Sequence, residues 1–223
     1  MYENGVDAVL AENYFGTPED VEWALDYLHS QYPDRVYGLN LLSDTDKAFE
    51  LSARYGASFL QIDSVCGHLR PGRGLKGHDK PKLYSKTCDG DFADALAELR
   101  KKYPVFRLGG VRFKYQPVRS GRSVERDLEL GKDRCDAVVV TGSGTGVSTE
   151  SDKIRLFRNT LGDFPLFVGA GLSDENCREQ LAIADGAIVG SWLKVDGITE
   201  APVDPGRVKR LMAIVAELRA NNL

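Results

Sequence analysis

Glu12 and Asp63 are the two acid/base candidates of this chain. Each closes a short apolar run, Val6–Asn13 for the first and Ser58–Ser64 for the second, and both runs read as β-strands. Desolvation at such a strand end would raise a carboxyl pKa and suit it to proton transfer near neutral pH. Lys114 is the third candidate for catalysis. It offers either a Schiff-base amine or, the role favoured here, a cation paired with a substrate phosphate or carboxylate. Arg112 alternates with Lys114 and is expected on the same strand face. Asn40 stands near the end of a further run, Val36–Leu42, and with Arg112 belongs to the expected ligand-binding set.

Glycine turns supply the rest. Gly169-Ala170-Gly171-Leu172-Ser173 and Gly190-Ser191 each follow a short apolar run. Glycine has no Cβ and tolerates φ > 0, so backbone N–H groups can close on an anion at such turns. Ser173 reads as the N-cap of a helix with Asp174 and Glu175 in its first turn, which would add the positive end of a helix dipole. Gly142-Ser143-Gly144-Thr145-Gly146 is a third glycine loop, and it is not a Walker motif, since no Gly-Lys-Ser/Thr follows. The expected phosphate cradle is therefore Gly142, Ser143, Gly169, Gly171, Leu172, Ser173, Gly190 and Ser191. The plainer reading of the same residues is a set of tight turns between buried strands.

Seven β-type runs position these residues, each followed by a helical segment. Thr17-Pro18-Glu19-Asp20 opens the first helix, with Thr17 as cap and Pro18 at the first helical position. The second starts at Asp44 or Thr45 and stops at Gly56. Later segments read as Asp91–Lys102, Ser123–Leu130 ending at Gly131, a helix capped by Ser151, and Pro205–Arg219. Val105–Phe113 reads as the fourth strand. Ala137–Thr141 (AVVVT) is continuously apolar, which implies burial on both faces. Repeated βα units of this kind predict a parallel sheet covered by helices. Glycine turns after the last two strands favour a TIM-type (β/α) barrel over a dinucleotide fold, because no G-x-G-x-x-G follows the first strand. A single domain over residues 1–223 is expected.

Composition narrows the partners. A net charge of −4 is wrong for a protein that coats nucleic acid or an acidic membrane. No apolar run approaches the roughly 20 residues of a membrane span, and the N-terminus lacks a signal-peptide pattern. Cys66, Cys88, Cys135 and Cys177 are widely spaced, as in reduced thiols of a cytoplasmic protein. Cys66, His68, His78 and Cys88 could be drawn as a zinc site, but their spacing matches no standard knuckle, so no metal and no other cofactor is expected. The basic, glycine-rich segment at about 65–87 reads either as a lid over an anionic ligand or as a solvated loop.

Several stretches resemble the BtpA/SgcQ family of TIM-barrel proteins. They are Gly5-Val6-Asp7-Ala8-Val9 leading to Glu12-Asn13, Gly38-Leu39-Asn40, and Asp136 through Gly146. Val168-Gly169-Ala170-Gly171-Leu172-Ser173-Asp174-Glu175-Asn176 and Ala184 through Lys194 continue the match. The resemblance implies a phosphate-binding barrel and also an additional βα unit ahead of Gly5, where only Met1–Asn4 stand here. A barrel without that unit has open sheet edges; either the true start lies upstream, or the barrel closes with seven strands, or another subunit, such as a second copy of the chain, fills the gap. Two places depart from the family pattern, the 65–87 segment and Arg112, where the family carries histidine. The expected function is acid/base chemistry on a phosphorylated sugar or nucleotide-like metabolite. The rival is a non-catalytic assembly factor of the photosystem I biogenesis type that retains a ligand pocket.

Overall fold

The computed structural model describes residues 1–42, 44–66, 89–115 and 121–221. The 65–87 segment beyond Cys66, and with it the expected lid and His68, His78 and Cys88, lies outside the described residues. Among the described residues, seven strands alternate with seven α-helices. The strands are β1 (Ala8–Glu12), β2 (Val36–Asn40), β3 (Phe59–Ile62), β4 (Phe106–Gly110), β5 (Ala137–Thr141), β6 (Leu166–Gly169) and β7 (Gly186–Ile188). The helices are α1 (Pro18–Gln31), α2 (Thr45–Tyr55), α3 (Asp89–Lys102), α4 (Val124–Arg134), α5 (Ser151–Leu161), α6 (Cys177–Leu181) and α7 (Pro205–Asn221). No helix among the described residues is long and apolar enough to cross a membrane. By packing, the chain divides into two compact units. One carries β1 to β4 with α1 to α4; the other carries β5 to β7 with α5 to α7, together with residues 1–7 and 113–115.

In the first unit the strands pair in parallel. Ala8 to Glu12 lie opposite Val36 to Asn40, Leu39 opposite Leu60, and Phe59 to Ile62 opposite Phe106 to Gly109. Local sequence sets the helix starts. Asp20 N–H donates to Thr17 Oγ1 at 3.3 Å while Asp20 Oδ2 accepts from Thr17 N–H at 2.7 Å, a reciprocal cap. Removing such a cap costs about 1 kcal/mol. Asp44 caps α2 by accepting from Lys47 N–H, and α2 stops at Gly56 with φ 64°. Leu25, Leu39, Phe49, Leu51, Leu60, Leu96 and Leu128 are buried and form the core. Burying each such side chain contributes about 1.5–3 kcal/mol.

Gly131 does not end α4. The helix runs on to Arg134, whose buried guanidinium donates to Val65 O at 2.9 Å, and Cys135 N–H closes the last turn on Gly131 O. A tertiary hydrogen bond at the helix end therefore outweighs the local preference of glycine for termination.

In the second unit β5 pairs in parallel with β6, and β6 with β7. All five residues of β5 are buried, as its apolar run predicts. Ser151 is the first helical residue of α5 and not its cap; Glu150 holds that position without a side-chain bond. Leu172, Cys177, Leu193, Val208 and Leu211 form one buried cluster. The N-terminal segment also packs here. Tyr2 is buried in a 3-10 turn (Tyr2–Asn4), Gly5 faces Met212, and Arg219 of α7 donates to both carboxylate oxygens of Asp7.

Candidate functional site

The register of the first unit brings polar side chains into a row. Glu12 lies opposite Asn40, and Asn40 and Gln61 are the residues that follow the paired Leu39 and Leu60. Asp63 is two residues further along β3's course, on the side of Gln61. Asn40 Nδ2 donates to Glu12 Oε1 and to Asp63 Oδ1, both at 3.0 Å. Gln61 Nε2 donates to the same Asp63 oxygen at 2.9 Å. One buried carboxamide thus holds two carboxylates from different strands. Asn40 is 1% exposed and Gln61 6%, whereas Asp63 is half-buried and Glu12 exposed. The desolvation expected at Glu12 is accordingly absent, because that side chain stands in solvent. Gln61 escaped the sequence reading; its one signal was a polar residue inside the apolar run Phe59-Leu60-Gln61-Ile62.

Arg112 and Lys114 do not share a strand face. β4 ends at Gly110, and Arg112 then takes φ 48°, which turns the chain out of the sheet. Arg112 Nε donates to Asp127 Oδ2 at 2.9 Å and its Nη2 to Arg122 O at 2.7 Å. Arg122 Nε takes the other oxygen of Asp127 at 2.7 Å. Asp127, on α4, is completely buried between the two guanidinium groups. Cys66 Sγ donates to Asp127 O, and Arg122 also donates to Cys66 O. Burial, reinforced by the Asp127 carboxylate, pushes the Cys66 thiol up to about 12. That thiol is a packed donor and not a nucleophile at neutral pH.

Lys114 belongs to the second unit. Its N–H donates to Thr141 Oγ1 at 2.7 Å, and Lys153 of α5 donates its ammonium to Thr141 O at 2.7 Å. Lys114 thus attaches at the end of β5 by its backbone and Lys153 by its ammonium, next to Gly142. Lys153 is a second residue that sequence reasoning missed, since it sits on a helix and reaches the strand end by its length. Tyr115 holds the adjoining loop, its hydroxyl accepting from Thr145 N–H at 2.8 Å.

Three glycine loops meet in this unit. A Cβ on Gly171, which has φ 69°, would lie 2.2 Å from Val147 C and 2.3 Å from Ser148 N. The 169–173 turn is thus pressed against the loop after β5, and glycine is required by both space and φ. Asn176 fastens the contact. Its Nδ2 donates to Gly171 O at 2.9 Å and Ser148 Oγ at 3.0 Å, and its Oδ1 accepts from Ser173 N–H at 2.8 Å. Gln180 adds bonds to Ser148 Oγ and Thr149 O.

This arrangement corrects the expected cap. Ser173 does not open α6, which begins at Cys177 after a turn and is only five residues long. Asn176 has taken the Ser173 N–H that a first helical turn would have left free. Leu172 lies in the buried cluster, and neither its side chain nor its backbone opens to the loop surface. Gly142 and Gly169 also sit where a Cβ would crowd neighbours, at 2.7 Å from Ser148 O and 2.8 Å from Val139 Cγ1. Ser143 is exposed. Gly190 is different: it is exposed, and a Cβ there would meet nothing within 4 Å. A Cβ on Gly146 would come to 3.9 Å from Ser191, whose hydroxyl bonds Thr199 Oγ1 at 2.8 Å.

The backbone is strained at three points past strand ends. Arg112, Tyr115 and Ala170 are non-glycine residues with φ of 48°, 61° and 74°, and each lies just past β4 or β6. Such conformations cost about 1–3 kcal/mol each and persist only where the surroundings enforce them.

Comparison with solved structures places the fold in the TIM-barrel class. The chain superposes on a phosphoribosyl anthranilate isomerase from Thermus thermophilus with a TM-score of 0.60 at 14% identity, covering 97% of this chain and 91% of that one. It superposes on a thiamine phosphate pyrophosphorylase from Pyrococcus furiosus with a TM-score of 0.62 at 13% identity, covering 96% and 85%. In sequence it is 29% identical over 236 residues to an uncharacterized protein of Thermococcus kodakarensis, covering all of this chain and 85% of that protein. It is 26% identical over 229 residues to the photosystem I biogenesis protein BtpA of Synechocystis, covering 96% and 75%. The profile of the BtpA family matches residues 1–217, and the chain belongs to that family.

Proposed function

We propose that this protein binds a phosphorylated small molecule, of the sugar phosphate or nucleotide-like class, and acts on it by proton transfer with Glu12 or Asp63 as acid/base. The observation that carries the reading is the meeting of three glycine loops in the β5–β7 unit, with open space at Gly190. Backbone amides of Gly190, Ser191 and Gly146 would take the phosphate, as backbone concavities take anions elsewhere. Gly171 has the supporting part of holding the loops together. Lys153, whose ammonium is held on Thr141 O, supplies cationic character beside the loop. The names of the two superposable enzymes, which refer to phosphoribosyl and thiamine phosphate compounds, agree with a phosphorylated ligand.

A second reading is favoured by the Synechocystis relative, which is named for photosystem I biogenesis. In it the protein keeps the ligand pocket and serves assembly without turnover. One experiment separates the two. Phosphorylated metabolites are screened for a rise in melting temperature, then Gly190→Asp is tested for loss of that rise and Glu12→Gln and Asp63→Asn for loss of turnover. The enzyme reading requires turnover by the parent and its loss in the carboxylate variants. Binding that survives both carboxylate changes, with no turnover by the parent, selects the assembly reading. Binding unaffected by Gly190→Asp rejects the proposed phosphate position.

A further inference from the structure

We infer that the row at the ends of β1 to β3 is a site for a divalent cation of the hard, oxygen-preferring class, held by Asp63, Glu12 and the carboxamide oxygen of Gln61. Gln61 is the observation that points beyond a pair of acids. Its side chain is 6% exposed, its Nε2 is committed to Asp63 Oδ1 at 2.9 Å, and its Oε1 has no hydrogen-bond partner among the described residues. Leaving a buried amide oxygen unpaired costs about 1–3 kcal/mol, so such an atom marks a place where another group belongs. That oxygen shares an amide with the nitrogen touching Asp63, which keeps it beside the carboxylate.

The donors in the cluster are turned inward. Asn40 Nδ2 gives its hydrogens to Glu12 and Asp63, and Gln61 Nε2 gives one to Asp63. Two carboxylates and a carboxamide oxygen form a hard-oxygen set of the kind that Mg2+, Mn2+ and Ca2+ accept, with no sulfur or imidazole to favour a softer metal. Asn40 would have the part of the outer hydrogen-bonding partner that fixes ligating carboxylates in place. No three His, Cys, Asp or Glu side chains among the described residues gather as a metal set, so the site emerges only when the carboxamide is counted. The inference shares Glu12 and Asp63 with the acid/base part of the proposed function and gives them the role of cation ligands, but it does not rest on phosphate binding, since the site uses no part of the glycine loops.

The test is a titration of the chelator-treated full chain with Mn2+, followed by the spin-resonance signal of free Mn2+ and by calorimetry, in phosphate-free buffer. The parent is expected to take up one Mn2+, with Mg2+ and Ca2+ competing. Asp63→Asn and Gln61→Met should each weaken uptake by about ten-fold or more, while Gln61→Glu, which adds a charged oxygen, should tighten it. Melting without added cation reports whether each variant is folded, and the Gln61→Glu arm reads in the opposite direction from any general loss of structure. A parent that leaves Mn2+ free at millimolar concentration overturns the inference, as does Gln61→Met binding as tightly as the parent. Because no phosphate is present, either failure leaves the phosphate-binding proposal untouched.

Discussion

The strand ends of β1 to β3 and those of β5 to β7 are made from different materials. In the first, long polar side chains meet and hold one another: Asn40 between Glu12 and Asp63, and elsewhere in the same unit Asp127 between Arg112 and Arg122. In the second, backbone meets backbone, with Gly171 lying where a Cβ would enter the Val147–Ser148 peptide. A side-chain cluster is specified by charge and can be neutralised or re-paired. A backbone contact is specified by the lack of atoms, and one methyl group breaks it.

Three measurements press on that contrast. The largest effect is expected from Asp127→Ala, which leaves two partly buried guanidinium groups without their shared carboxylate. Breaking a buried ion pair from one side should lower unfolding free energy by about 3 kcal/mol, read from denaturant midpoints. A loss under about 1 kcal/mol would mean that the arginines re-pair freely. Next comes the pair Gly171→Ala and Gly190→Ala. The first must move the Val147–Ser148 peptide at a positive φ and should lose about 2 kcal/mol. The second enters open space and should stay within about 0.5 kcal/mol of the parent. Equal losses would erase the distinction between a supporting glycine and an open one.

The smallest effect concerns pH. The Cys66 thiol is raised from its ordinary value of 9.0 to about 12, so the neutral form is favoured in the folded protein. Its contribution is fully present below pH 9.0 and is lost as pH rises from there toward about 12, because the unfolded chain ionises first. Cys66→Ser should flatten the fall in stability over that window, and an unchanged slope would refute the assignment.

The alternation of strands and helices was legible because local signals agreed with tertiary packing. Thr17 and Asp20 form the reciprocal cap that their spacing suggests, Gly56 stops α2, and the run Ala137–Thr141 is buried throughout. Misreadings arose where a distant partner intervened. Ser173-Asp174-Glu175 has the composition of a helix start, but Asn176 ties it to Ser148 across the glycine loops. Val105–Phe113 reads as one strand, yet Arg112 leaves it to reach Asp127. The same cause hid part of the candidate sites. Glu12, Asn40 and Asp63 were found because they stand at strand ends. Gln61 and Asp127 were not, since a glutamine within a strand and an aspartate within a charged helix acquire meaning only from neighbours on other elements.

Residues 1–7 pack with the β5–β7 unit, through Tyr2, the Gly5–Met212 approach and the Asp7–Arg219 ion pair. During synthesis residues 1–7 emerge ahead of the β1–β4 unit, yet their packing surface is completed only when α7 has emerged. The β1–β4 unit has its whole sequence available much earlier. A nascent chain arrested before α7 would expose the Tyr2 side chain and leave Asp7 without Arg219. Ribosome-bound intermediates of this protein are therefore expected to protect the β1–β4 unit from proteolysis before they protect residues 1–7.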